Sequence, residues 1–116
     1  MKKIALSSIV LFVFLFSITT TKAQTTSEIK ITTSAVCKSC KKTIEKALSA
    51  EKGVIKSSLD VSTKVVTVNY DPAITSPEKI RLAISNAGYD ADDVKANPKA
   101  YKRLDDCCKK ENAGKG

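Results

Sequence analysis

The spacing of apolar residues changes character several times along the 116 residues, and each change marks an element. Ile4 to Ile18 is an apolar run interrupted only by Ser7, Ser8 and Ser17. Glu28-Ile29-Lys30-Ile31-Thr32-Thr33 then alternates polar with apolar, which predicts a half-buried strand with Ile29 and Ile31 inward. From about Lys38 the period lengthens. Cys40, Ile44, Ala47 and Leu48 share one helical face, with Lys41, Lys42, Glu45 and Lys46 around the rest, and Gly53 reads as the C-terminal cap.

Val54 to Val61 alternates again through Ile55, Ser57, Leu59 and Val61. After a turn at Ser62-Thr63, the β-branched run Lys64 to Tyr70 completes an antiparallel hairpin. Asp71-Pro72 ends it. Ser76-Pro77-Glu78 combines an N-cap, a proline at the first helical position and an acid in the first turn. Ile80, Ala83, Ile84 and Ala87 form the apolar stripe of this second helix, which stops at Gly88. Beyond Tyr89 and an acidic turn, Val94 to Ala96 reads as a short last strand.

Strand, helix, strand, strand, helix, strand is the ferredoxin-like β-α-β-β-α-β order. The expected fold is an α+β sandwich: a four-stranded antiparallel sheet with two helices on one face. Asn97-Pro98 starts a further helical turn through Leu104, and a C-terminal tail with the adjacent pair Cys107-Cys108 follows.

The first 23 residues sit apart from this domain. Met1-Lys2-Lys3 is a basic start, and Thr21-Lys22-Ala23 offers small residues where a signal peptidase cleaves. An apolar stretch of about 15 residues falls short of the roughly 20 that span a bilayer. The reading is a cleavable signal peptide at 1–23, a polar leader at 24–27, the folded domain at 28–96 and a C-terminal extension at 97–116. The expected location is the periplasm or the extracellular space.

Removing the signal leaves 17 basic against 12 acidic residues, and the lysines are scattered rather than clustered. Only Tyr70, Tyr89 and Tyr101 supply aromatic rings after the signal, so neither the aromatic-basic interleaving of single-strand binders nor the basic face of duplex binders is present. No nucleic-acid partner is expected. The chain has no histidine, which excludes Ser-His and Cys-His nucleophilic catalysis and leaves thiolate, carboxylate and water as metal donors.

Cys37 falls in the loop after the first strand and Cys40 in the first turn of the first helix. At that spacing two side chains converge, and the positive helix end with Lys38, Lys41 and Lys42 nearby favours thiolates. Such a two-sulfur pocket suits Cu(I) or Hg(II) and, with added ligands, Zn(II) or Cd(II). Cys107 and Cys108 are further candidate ligands if the tail folds back. A strained ring opposes a disulfide between them. The alternatives are a separate site, a disulfide to Cys37 or Cys40, or an exposed pair without a role. Asp105 and Asp106 read as solvated.

Cys37-Lys38-Ser39-Cys40, the helix Lys41 to Leu48, the strand Val66 to Asp71 and Ala87-Gly88-Tyr89 together resemble the heavy-metal-associated domain family. That family includes small copper chaperones and periplasmic mercury-binding proteins. The resemblance covers Glu28 to Ala96. It implies metal binding at Cys37 and Cys40 with Tyr89 near the metal loop, and Lys41 of the helix start reads as a further neighbour of the thiols. Where members usually carry Gly-Met-Thr before the first cysteine, this chain has Ser34, Ala35 and Val36.

The function expected is an exported, non-enzymatic metallochaperone or scavenger. It would pass a soft ion by ligand exchange to a metal-transporting membrane protein or its metal domain, as a monomer or a metal-bridged dimer. The alternative is a periplasmic thiol-disulfide oxidoreductase using the same two cysteines. The hairpin topology argues against it, because such motifs normally accompany a βαβ unit.

Overall fold

The computed structural model describes residues 25–109; the expectations for the signal segment and for the last seven residues lie outside them. The elements are β1 (Ser27–Thr32), α1 (Lys38–Ser49), β2 (Val54–Asp60), β3 (Val65–Tyr70), α2 (Pro77–Asn86) and α3 (Pro98–Lys102), followed by a 3-10 turn at Asp106–Cys108. β3 lies between β1 and β2, antiparallel to both. It takes the centre because Val66, Val68 and Tyr70 bury their side chains on one face while the β-branched sequence suits the pleat.

Register aligns the core. Ile31 and Leu59 both pair with Val66, and Ile29 and Ser57 both pair with Val68. Over this face α1 sets Ile44 and Leu48, and α2 sets Ile80 and Ile84, all fully buried. Burying each such side chain contributes about 1.5–3 kcal/mol. Ser76 caps α2 by accepting from the Lys79 N–H at 3.4 Å, as its sequence predicts. The result is the ferredoxin-like α+β fold.

The expected fourth strand at Val94–Ala96 does not form. Ala91 makes isolated bridges to Thr33 and to Val94, and nothing extends them into a ladder. The backbone there is committed elsewhere. Ala91 and Val94 exchange N–H to O bonds of 2.9 Å across a tight turn, in which Asp92 holds a φ of 52°. Ser85 Oγ donates to the Lys95 carbonyl at 2.7 Å, and the Ala96 N–H donates to the Asp90 carboxylate at 2.9 Å. Pro98 brings no N–H.

Two smaller expectations also change. A register shift between Val54 and Lys56 turns Ile55 out, 55% exposed, and leaves Val54 packed against the core, so the alternation expected from Ile55 onward begins later. The helix α1 ends at Ser49 with Ala50 as its cap, so Gly53 lies beyond the helix. Gly53 is required for another reason: its φ is 92°, and a Cβ there would stand 2.8 Å from Thr75 Cγ2.

Candidate metal centre

Cys37 is the N-cap of α1, with extended backbone, and Cys40 lies one turn in with its side chain buried. The loop that carries them is pinned where it leaves β1. Thr33 donates through its N–H and its hydroxyl to the Lys64 carbonyl, each at 2.8 Å. The Asp90 N–H donates to Ser34 Oγ at 2.9 Å, tying the loop to the residue after Tyr89. Ala35, at the position where the family usually has methionine, is fully buried.

All four sulfurs meet here. Cys37 Sγ lies 3.3 Å from that of Cys40, 3.4 Å from Cys107 and 3.5 Å from Cys108. The sulfurs of Cys37, Cys40 and Cys108 all lie within 4.8 Å of one another. Those of Cys107 and Cys108 are 3.9 Å apart, and all four cysteines are free thiols. The tail thus folds back onto the CxxC loop, one of the alternatives open from the sequence.

Three packing devices bring it there. Asn97 donates its N–H to the Ser85 carbonyl at 2.9 Å, and its side chain caps α3 by accepting from the Lys99 and Ala100 N–H groups. Gly88, with φ 104°, lets α3 approach: a Cβ there would lie 3.1 Å from the Ala100 backbone and from Leu104 Cδ2. Leu104 and Cys107 pack on the core, and Cys108 is 3% exposed. The sequence signalled Asn97-Pro98 as a helix start, but gave no sign that Gly88 and Ser85 serve as the dock for α3.

Electrostatics separates Cys37 from Cys107 and Cys108. Burial opposes ionisation of Cys37, but the Cys40 backbone N–H and the thiols of Cys40, Cys107 and Cys108 outweigh it, and its pKa falls to about 7. The Cys40 N–H faces that sulfur from the first turn without the alignment of a formed capping bond. Burial, with Cys40 next, pushes the Cys108 thiol well above the usual range. The neighbouring Cys37 sulfur raises Cys107. Negative charge therefore gathers on Cys37 before it reaches Cys107 or Cys108.

Tyr89 is fully buried behind the thiols. Burial and the nearby Cys108 and Cys40 sulfurs hold its phenol far above the usual range. Its hydroxyl has no hydrogen-bond partner of acceptable geometry. Lys41, expected beside the site, directs its ammonium to Glu45 Oε2 at 2.7 Å and to the Leu59 carbonyl at 3.1 Å. The same Glu45 oxygen accepts the Leu59 N–H at 2.8 Å, so this pair ties α1 to β2. On the open side, Val36, Cys37, Lys38, Ser39, Val61 and Cys107 line a depression of about 500 Å³.

A small α+β sandwich with clustered thiols at the start of its first helix defines a soft-metal-binding module. The sequence profile of the heavy-metal-associated domain matches residues 33–90, and the chain belongs to that family. Over 55 residues it is 40% identical to copper-transporting ATPase 1 of Rattus norvegicus, covering 47% of this chain and 4% of the ATPase. Over 53 residues it is 38% identical to the mercuric transport protein periplasmic component of Pseudomonas aeruginosa, covering 46% of this chain and 58% of that protein. Among solved structures it resembles oxidized MerP from Ralstonia metallidurans (TM-score 0.56, 31% identity, 58% of this chain and 94% of that one). It also resembles the CopZ metallochaperone (TM-score 0.54, 27% identity, 56% of this chain and 98% of that one).

Proposed function

We propose that the chain is an exported carrier of a soft metal ion, Cu(I) or Hg(II) before Zn(II) or Cd(II). The ion is received on Cys37 and Cys40 and handed on by ligand exchange. The observation that carries this reading is the 3.3 Å approach of those two sulfurs at the start of α1. The separation is too long for a disulfide, which needs about 2.05 Å. Two sulfurs each about 2.3 Å from one ion stand about 4.6 Å apart when they oppose each other across a two-coordinate ion, and about 3.8 Å apart on a tetrahedral one. The free pair therefore opens by about 1 Å to take a two-coordinate soft ion.

Export is supported by the signal-like segment 1–23 and by similarity to a relative named as a periplasmic component. A transporter partner is supported by similarity to copper-transporting ATPases. Lys38, Lys41 and Lys42 border a groove with Ser58 to Val61 beside the CxxC loop, a surface suited to steering toward an acidic partner face. Transfer then proceeds by entry of a partner thiolate into the coordination shell before a resident sulfur leaves.

The test is titration of the reduced protein with Cu(I) and Hg(II) against chelators of graded affinity. Near-stoichiometric uptake is expected, and its loss in a Cys37→Ser, Cys40→Ser double variant. No uptake by the unaltered protein would refute the reading. One observation favours the oxidoreductase reading: the Cys37 pKa of about 7 suits an attacking thiol. Metal-free turnover in an insulin-reduction assay would support it.

A further inference from the structure

We infer that the C-terminal pair completes the centre: Cys108 is a third, buried sulfur ligand beside Cys37 and Cys40, and Cys107 is the thiol at the mouth through which the ion is exchanged. The inference rests on the carrier reading and adds two ligands with distinct tasks.

Four observations converge on it. The sulfurs of Cys37, Cys40 and Cys108 form a mutual triangle with sides no longer than 4.8 Å, which is the arrangement a three-coordinate soft ion requires. The segment is docked rather than draped. Asn97, Gly88 and Leu104 anchor α3, and the Cys108 N–H closes the final turn by donating to the Asp105 carbonyl at 2.8 Å.

The Tyr89 hydroxyl supplies the third observation. It is fully buried, makes no hydrogen bond of good geometry, and lies against the Cys40 and Cys108 sulfurs. A buried polar atom left unsatisfied costs about 1–3 kcal/mol. Thiolates in place of the Cys40 and Cys108 thiols would give that hydroxyl stronger acceptors, which suits ionised sulfurs at both positions.

Exposure divides the tasks. Cys40 and Cys108 are buried, whereas Cys37 and Cys107 are partly exposed and line the open depression. Cys107 Sγ, 3.4 Å from Cys37, is therefore placed to contact an arriving ion before it reaches the buried sulfurs. Each sulfur still protonated when it coordinates releases that proton to solvent and can recover one when the ion leaves. The metal keeps its oxidation state throughout.

X-ray absorption spectroscopy on the Cu(I)-loaded, reduced full chain counts the sulfurs. Three are expected in the unaltered protein and two in Cys108→Ala, with circular dichroism and a cooperative thermal melt showing that its domain is folded. Cys108→Ser, close in shape to the thiol, serves where alanine disturbs packing. Cys107→Ala should keep three sulfurs but pass Cu(I) to a competing dithiol several-fold more slowly. Two sulfurs in the unaltered protein, or the same count after loss of Cys108, overturns the third ligand and leaves the carrier reading standing. An unchanged transfer rate in Cys107→Ala overturns the exchange role. No uptake by any of these proteins overturns the carrier reading and this inference with it.

Discussion

The sulfurs of Cys37 and Cys108 lie 3.5 Å apart although 71 positions separate them in sequence. The contact depends on the loop before α1, on the glycine that follows α2 and on the short helix that packs against that glycine. It is a product of the whole domain rather than of the CxxC motif alone.

Gly88→Ala tests the dock. A β-carbon at φ 104° would press on the Ala100 backbone and on Leu104. The conformational strain alone is expected to cost about 1–2 kcal/mol. Urea unfolding should register the loss, and alkylation of Cys108 should accelerate as α3 lifts. Unchanged Cys108 reactivity would show that the segment is held in some other way.

The pH dependence has a defined sign. Cys37 has a folded pKa of about 7 against an ordinary value of 9.0, so its contribution to stability is fully present above pH 9 and is lost as pH falls toward 7. Cys108 is shifted the opposite way, so its contribution is present below pH 9 and is lost as pH rises beyond it. Stability of the reduced, metal-free protein should therefore rise from pH 7 to a maximum near pH 9 and then decline. Denaturant melts at a series of pH values read this directly, and a flat profile between 7 and 9 would contradict the shift assigned to Cys37.

Tyr89→Phe removes the unpartnered hydroxyl from the core. The metal-free protein is expected to gain about 1 kcal/mol, because an unsatisfied buried group disappears with little change of shape. The loaded protein should bind its ion more weakly than the unaltered chain does. Thermal melts with and without Cu(I) separate the two effects.

Glu45→Gln weakens both bonds that the carboxylate accepts, from Lys41 and from the Leu59 N–H. A cost of about 1–2 kcal/mol is expected, given the usual strength of hydrogen bonds to a charged group. Cu(I) affinity should be unaffected. A large fall in affinity would mean that Lys41 acts on the thiols after all.

Much of this architecture could be read from periodicity. The stripe Cys40, Ile44, Leu48 and the alternation in β3 are strong local signals, and the helix starts at Ser76-Pro77 and Asn97-Pro98 carry their own capping chemistry. What escaped was decided by partners distant in sequence. Val94 to Ala96 looks extended, yet the Lys95 carbonyl and the Ala96 N–H are taken by the side chains of Ser85 and Asp90. Ile55 fits an alternating strand until the bulge beside it reverses the facing. The CxxC pair announced itself by spacing, whereas the place of Cys107 and Cys108 depended on how α3 docks, which no short-range pattern encodes.

Without a fourth strand, the outer edge of β1 has no partner along most of its length among the described residues. Unsatisfied strand edges invite pairing between copies and growth into aggregates. Glu28 and Lys30 are exposed on this strand, and such charges make sheet extension by a second copy costly. The chain thus guards that border with ionic side chains, and replacing Lys30 with valine should lower its solubility in concentrated solution.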